Sequence, residues 1–137
     1  LPSLRSEKLN RKHLERIENL DKISPDILRY GDGYAVVDDT GVCYIAAVFL
    51  PLGESTVEMS MLRGDINQNI FTARWIREGL YNYILANNYE RVHAITKDDS
   101  ALTRWMEFLR FKREATLKKF FNGEDRVMWV KFREELI

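Results

Sequence analysis

The pair Asn122-Gly123 is flanked by two runs, KREATLKKFF and DRVMWVKF. Asn-Gly suits a two-residue turn in which both residues take positive φ, and such a turn matches the right-handed twist of the strands it joins. The second half of the chain is therefore expected to hold a β-hairpin. Upstream of it YERVHAIT reads as a strand, and Asp99 or Ser100 can cap a helix whose apolar stripe is Leu102, Trp105, Met106 and Leu109, at i, i+3, i+4 and i+7.

Further toward the N-terminus, Ile76, Leu80, Tyr83 and Ile84 mark one face of a helix over about residues 71–86, with Asn87-Asn88 as its stop. Gly79 inside it costs roughly 1 kcal/mol relative to alanine unless close packing against a sheet recovers that. GYAVVDD and VCYIAAVFLP, joined at Asp39-Thr40-Gly41, read as a hairpin, and STVEMSML alternates Val57, Met59 and Met61 on one face with Glu58, Ser60 and Leu62 on the other. Leu14, Ile17 and Leu20 recur at near-helical spacing, which predicts an amphipathic helix over about residues 6–20 that carries His13 at the surface. Ser24-Pro25-Asp26 is a capping residue, a proline and a first-turn acid, and predicts a short second helix ending near Gly31. The expected string is α-α-β-β-β-α-β-α-β-β, an α/β chain with helices packed on a mixed sheet.

At 137 residues the length suits one domain, residues 1–137. Lys plus Arg number 21 and Asp plus Glu number 21, so no excess of positive charge marks a polyphosphate partner, and nucleic acid is not expected. No apolar run approaches the roughly 20 residues needed to span a bilayer, so no membrane insertion is expected; the single cysteine suits a reducing compartment, and the expected setting is the cytoplasm. Because the chain begins with Leu, its start is expected to be missing or processed. Cys43, the single cysteine, cannot form an internal disulfide and is expected within a strand, as a buried inert thiol rather than a nucleophile. Two distant histidines and one cysteine offer no ligand spacing, so no metal is expected. Lys112, Arg113, Lys118 and Lys119 lie on one hairpin strand, where they guard an exposed edge or, alternatively, meet an acidic partner or nucleic acid. No serine is flanked by nucleophile-elbow glycines, which removes support for hydrolase chemistry.

This order of elements resembles the Gcn5-related N-acetyltransferase (GNAT) superfamily. The resemblance implies a mixed, mostly antiparallel sheet with flanking helices, opened near the strands at residues 55–62 and 90–96 so that acetyl-CoA can enter. It also implies a coenzyme loop of pattern Q/R-x-x-G-x-G/A, which falls on Gln68, Asn69, Ile70, Phe71, Thr72 and Ala73, with Arg74 beside it and Met61 and Leu62 on the preceding strand. Gln68 and Ala73 match that pattern. Phe71 replaces its first glycine, a position where glycine lets an anion approach the backbone. Arg74 either compensates with a cation at the helix N-terminus, or the site is closed. The family's F-Y-x-x-x-G-F phrase falls on Trp105-Met106-Glu107-Phe108-Leu109-Arg110-Phe111, with Met106 in place of the tyrosine and Arg110 in place of the glycine. Methionine cannot donate a proton, so any general acid has to come from elsewhere or from solvent.

In this family a carboxylate on the fourth strand often deprotonates the acceptor amine, and here that residue is Glu58. Its other reading is a solvated strand residue paired with a cross-strand lysine. His93 shares the role or is a satisfied structural histidine. Trp105, Met106, Trp75 and Phe71 line a pantetheine or acceptor slot, or, as helical spacing favours for Trp105 and Met106, fill the core. Arg104-Trp105 and the Asn122-Gly123-Glu124-Asp125 turn also resemble small GNAT-fold proteins of tailed bacteriophages over roughly residues 24 to 132. Two functions follow: an N-acyltransferase whose partners are acetyl-CoA and an amine, or a catalytically inactive phage virion or interaction protein that meets other phage structural proteins and whose expected setting is then the virion.

Overall fold

Seven strands form a single sheet among the described residues. The computed structural model describes residues 3–14, 29, 31–63 and 70–137. Its strands are β1 (Leu4–Lys8), β2 (Asp32–Asp38), β3 (Cys43–Pro51), β4 (Thr56–Arg63), β5 (Arg91–Lys97), β6 (Lys112–Phe121) and β7 (Glu124–Phe132), in the order β1-β2-β3-β4-β5-β7-β6. Every neighbouring pair is antiparallel except β4 and β5, which run parallel. The helices are α1 (Arg11–Leu14), α2 (Ile70–Ala86) and α3 (Ser100–Phe108), and a 3-10 turn, Arg133–Leu136, follows β7. The expected mixed, mostly antiparallel α+β architecture is the one observed.

β2 and β3 are buried on both faces. One face presents Tyr34, Val36, Ala47 and Phe49, which with Val57, Met59, Val92 and Trp129 pack under α2 and α3 through Ile76, Leu80, Ile84, Met106 and Leu109. The opposite face presents Ala35, Val37, Cys43, Ala46, Val48 and Leu62, joined by Leu14 of α1. Cys43 is 1% exposed, as its place in a strand implied.

The N-terminal expectation is corrected. Residues Leu4–Lys8 form an edge strand antiparallel to β2, with Leu4 opposite Asp38 and Lys8 opposite Tyr34, and the helix begins only at Arg11. Residues 15–20 of the expected helix, and the Ser24-Pro25-Asp26 start, lie outside the described residues. His13 is buried rather than at the surface. Its Nδ1 accepts from the Asn10 N–H at 3.0 Å, so the neutral ring carries its proton on Nε2 and donates it to Glu7 at 2.9 Å. That hydrogen bond, with a second from Arg5, holds the Glu7 carboxyl below the usual carboxylate range.

The β2–β3 turn is organised by Asp38. One carboxylate oxygen accepts from the Thr40 hydroxyl at 2.6 Å, the Thr40 N–H at 2.9 Å and the Val42 N–H at 3.0 Å, and the other accepts from the Tyr44 hydroxyl at 3.0 Å. The Thr40 hydroxyl makes the largest contribution to drawing this carboxyl from its ordinary 3.8 down to about 2. A folded-state value below the unfolded one means that the stabilisation is complete above pH 3.8 and is lost as pH falls through about 2. Thermal midpoints measured across that acid window should fall for the wild type and fall less for Asp38→Asn; equal slopes would show that Asp38 does not carry the effect.

Both long helices end in the same way. The Asn88 N–H donates to Leu85 O at 3.3 Å and Tyr89 N–H to Ile84 O at 3.2 Å, with Asn88 at φ 55°. After α3, Arg110 N–H donates to Glu107 O at 2.9 Å and Phe111 N–H to Met106 O at 3.0 Å, with Arg110 at φ 63°. These paired bonds are Schellman caps, which favour glycine or asparagine at the left-handed position. Arg110 occupies that position with a full side chain, at a strain of about 1 kcal/mol. Arg110→Gly is therefore expected to raise stability by about 1 kcal/mol in urea unfolding, and a destabilised variant would contradict the strain. The Asn122-Gly123 turn is formed as read from the sequence, with φ of 51° and 75°.

Candidate active site

β4 and β5 pair at only three positions, Thr56 with Arg91, Val57 with Val92, and Glu58 with His93. Past Glu58, β4 stays with β3 as far as Arg63 opposite Ile45, while β5 stays with β7 as far as Lys97 opposite Arg126. Two strands held by different neighbours diverge because each follows its own partner's twist. The opening falls between the two strands expected to separate.

A cavity of about 650 Å³ fills the divergence. Met59 and Met61 of β4, Ala94 and Thr96 of β5, and Trp105 and Met106 of α3 form its walls. Among the described residues the edge of β4 beyond Glu58 has no strand partner on this side, so its outward backbone N–H and C=O groups can meet an extended ligand. α3 is fixed over the cavity by Asp99, whose carboxylate accepts from the Leu102 N–H at 2.7 Å. Trp105 stacks on Phe108, with ring centroids 5.8 Å apart, and the Arg77 guanidinium of α2 sits 4.6 Å above the Phe108 ring. Thr96 accepts from the Trp129 indole N–H at 3.0 Å, which ties the β5 wall to β7.

Glu58 and His93 stand where the pairing stops. His93 Nε2 is 3.9 Å from a Glu58 carboxylate oxygen. His93 is buried, and its Nδ1 has no hydrogen-bond partner among the described residues. Two residues before it on β5, Arg91 forks onto the Glu114 carboxylate, with one N–H at 2.9 Å and a second closing the pair. Arg91, with a smaller contribution from His93, holds the Glu114 carboxyl below its usual range. The alternative reading of Glu58 as the partner of a cross-strand lysine is not what is seen, since its cross-strand neighbours are Leu50 on β3 and His93 on β5. A carboxylate beside a largely buried imidazole can take a proton from a nucleophile and pass it on.

The other residues expected at the site are distributed unevenly. Met61 lines the cavity, whereas the Leu62 side chain points to the opposite face and joins the core there. Gln68 and Asn69 lie outside the described residues. Ile70 and Phe71 begin α2 with exposed side chains; Phe71 is 60% exposed and is not part of the cavity wall. Thr72 is buried, Ala73 half-buried and Arg74 exposed. Trp105 and Met106 pack with the core, as helical spacing favours, and also line the cavity. Sequence reasoning missed Ala94 and Thr96; the small Ala94 within an otherwise bulky strand was the available signal. Lys112, Arg113, Lys118 and Lys119 lie on β6, the edge strand of the sheet, with Lys112 3.4 Å from Glu135 and Arg113 3.3 Å from Asp98. Among the described residues no group of His, Cys, Asp and Glu could hold a metal ion, and no helix is long and apolar enough to cross a membrane.

No family model matches this sequence, and no curated protein is significantly similar to it. Solved structures are similar in fold. A variant of a spermidine N-acetyltransferase from Vibrio cholerae superposes with a TM-score of 0.76 at 13% identity, covering 98% of this chain and 96% of that one. A GNAT family acetyltransferase from Elizabethkingia anophelis, with acetyl-CoA bound, gives 0.76 at 12% identity over 94% and 97%. An IAA acetyltransferase from Bacillus cereus gives 0.74 at 10% identity over 95% and 99%. The chain has the fold of the GNAT acetyltransferase superfamily over nearly its whole length, and at such identities the likeness establishes the fold alone.

Proposed function

We propose that this protein transfers an acetyl group from acetyl-CoA to an amine. The observation that carries the proposal is the 650 Å³ cavity between β4 and β5, which opens past their last paired position, Glu58 with His93. The bound acetyl-CoA of the similar Elizabethkingia anophelis enzyme supports the choice of co-substrate.

When bound, acetyl-CoA supplies a thioester whose carbonyl carbon an amine can attack. The free backbone edge of β4 around Met61 and Leu62 hydrogen-bonds the extended arm of the co-substrate and polarises that carbonyl. The first turn of α2, from Ile70 to Arg74 with Gln68 and Asn69 before it, offers backbone N–H groups and the Arg74 cation to the diphosphate. Phe71 points its ring into solvent, so this replacement for glycine leaves the cavity itself open. Glu58 accepts the proton that the amine loses, with His93 beside it to share that proton. Met106 cannot donate a proton to the departing thiolate, so that proton comes from another group or from solvent. A thiol's ordinary value of about 8.5 makes the thiolate a tolerable leaving group at neutral pH without a dedicated acid.

The replacement of a tyrosine by Met106 favours a second reading, a protein of this fold without catalysis, such as a phage virion component. Incubation with acetyl-CoA and a panel of amines, followed by release of free CoA thiol, separates the two. Amine-dependent thiol release supports transfer; tight co-substrate binding without release on any amine supports the inactive protein.

A further inference from the structure

The cavity at the divergence passes through the sheet. Successive residues of a strand point to opposite faces, and Met59 of β4, Ala94 of β5 and Trp129 of β7 point toward α2 and α3. Glu58 and Ser60 of β4, His93, Ile95 and Lys97 of β5, and Arg126 of β7 therefore point to the other face. The cavity wall draws on both sets, with Met59, Ala94 and Trp105 on the helix side and Ser60, Ile95, Lys97 and Arg126 on the far side. An amine that gives its proton to Glu58 has to arrive on the far side.

That side carries opposite charges at its two ends. Glu58 stands at one end, at the last paired position of β4 and β5. At the other end Lys97 and Arg126 are direct cross-strand partners. Lys97 lies beyond His93 on β5 by about 13 Å, at the usual rise of an extended strand. It is exposed and has no ion pair among the described residues. Arg126 comes from the strand behind β5, so it reaches the wall with its side chain, which is only 11% exposed. Its Nη1 donates to the Glu124 carboxylate at 3.0 Å and to the Asp125 carbonyl at 3.1 Å. Nε and Nη2 have no partner among the described residues, and neither is sealed from solvent. Two other carboxylates beside these strands are already engaged, Glu114 by Arg91 and Asp98 by Arg113.

Two cations with uncommitted donors at the open end of a cavity suit an anion. A simple alkylamine would leave them unmet, and a diamine would bring a second ammonium against them. The diphosphate of the co-substrate is assigned to the first turn of α2, on the helix side, which leaves Lys97 and Arg126 to the acceptor. We propose that the acceptor amine carries an anionic group, a carboxylate or a phosphate, which Lys97 and Arg126 bind while the amine meets Glu58. The inference rests on the acyl-transfer reading for the role of the amine; the anion site is a property of the cavity itself.

Calorimetric titration of the whole chain with amines of matched length tests the site without any transfer. 6-Aminohexanoate, or 5-aminopentyl phosphate where the anion is a phosphate, is expected to bind at least about fivefold more tightly than n-hexylamine, with 1,6-diaminohexane weakest. The same order is expected in kcat/KM with acetyl-CoA. Lys97→Gln should bring the anionic amine and n-hexylamine to within about twofold of each other, and Lys97→Glu should turn the preference toward the diamine, both with cooperative unfolding intact. Preferential binding of an anionic amine, with no thiol release from acetyl-CoA on any amine, would keep the anion site and remove the acyl-transfer reading. Thiol release at equal kcat/KM for every amine would keep that reading and overturn the anion site. No binding of either anionic amine, or a preference that survives Lys97→Gln, would also overturn it. So would a fall in desulfo-CoA affinity with Lys97→Gln, which would assign the cations to the co-substrate.

Discussion

Glu58→Gln is expected to lower the turnover of acetyl transfer by about 10²–10⁴-fold while leaving acetyl-CoA affinity unchanged. Glutamine keeps the size and hydrogen-bonding reach of the side chain and removes only its capacity to take a proton. The residue faces His93 at 3.9 Å across the last paired position of β4 and β5. Its Cα partner on β3, Leu50, carries no charge, so a purely structural ion pair has little to lose here. Steady-state kinetics with saturating acetyl-CoA should place the whole loss in kcat. A variant with unaltered kcat would remove Glu58 as the base, and His93→Gln would then show whether the imidazole works alone.

The largest stability effect is expected at Phe49. This side chain is fully buried and stacks on Tyr83 at 4.7 Å, with Tyr89 at 5.6 Å and Tyr34 at 6.3 Å. It is therefore the point at which β3 holds the C-terminal half of α2 to the sheet. Removing a buried phenyl ring forfeits its transfer free energy and leaves a cavity that rigid neighbours close only in part. Phe49→Ala should cost about 3–5 kcal/mol, which lowers the urea midpoint by at least about 1 M. A loss under about 1 kcal/mol would mean that the aromatic cluster repacks, and that α2 is held mainly by Ile76, Leu80 and Ile84.

The C-terminal half was legible because its signals are local. Asn122-Gly123 takes the two positive φ values that its turn demands, Asp99 caps α3, and the apolar stripes of α2 and α3 fall on their buried faces. The N-terminal strand was misread because LRSEK is a polar edge strand with one apolar residue, Leu4, and no period of its own. Its conformation comes from pairing with β2 at the sheet edge, a non-local interaction that outweighs local propensity. The burial of His13 escaped for the same reason, since Glu7 and Asn10 surround it only once β1 turns into α1. Both strands of the cavity were identified from sequence, but not where they part: nothing in STVEMSML says that pairing with β5 stops after Glu58. That is decided by the partners on either side, β3 and β7.

The glycine replaced by Arg110 shows how far a motif carries. The backbone keeps the left-handed turn at φ 63° despite the side chain, so a departure from the family phrase changed strain and left the fold intact. At Met106 the departure has a chemical consequence instead, because no rearrangement gives a thioether a proton to donate.

Acetyl-CoA is proposed to enter the divergence of β4 and β5, and calorimetric titration with desulfo-CoA and acetyl-CoA tests this most directly. Saturable binding of both is expected, with a matching rise in thermal midpoint as ligand exceeds its Kd, since only the native state binds. Ala101→Trp, which puts an indole at the cavity wall from an exposed position on α3, should abolish that binding and leave cooperative unfolding intact. No heat and no thermal shift at millimolar ligand, or binding unaffected by Ala101→Trp, would contradict the account.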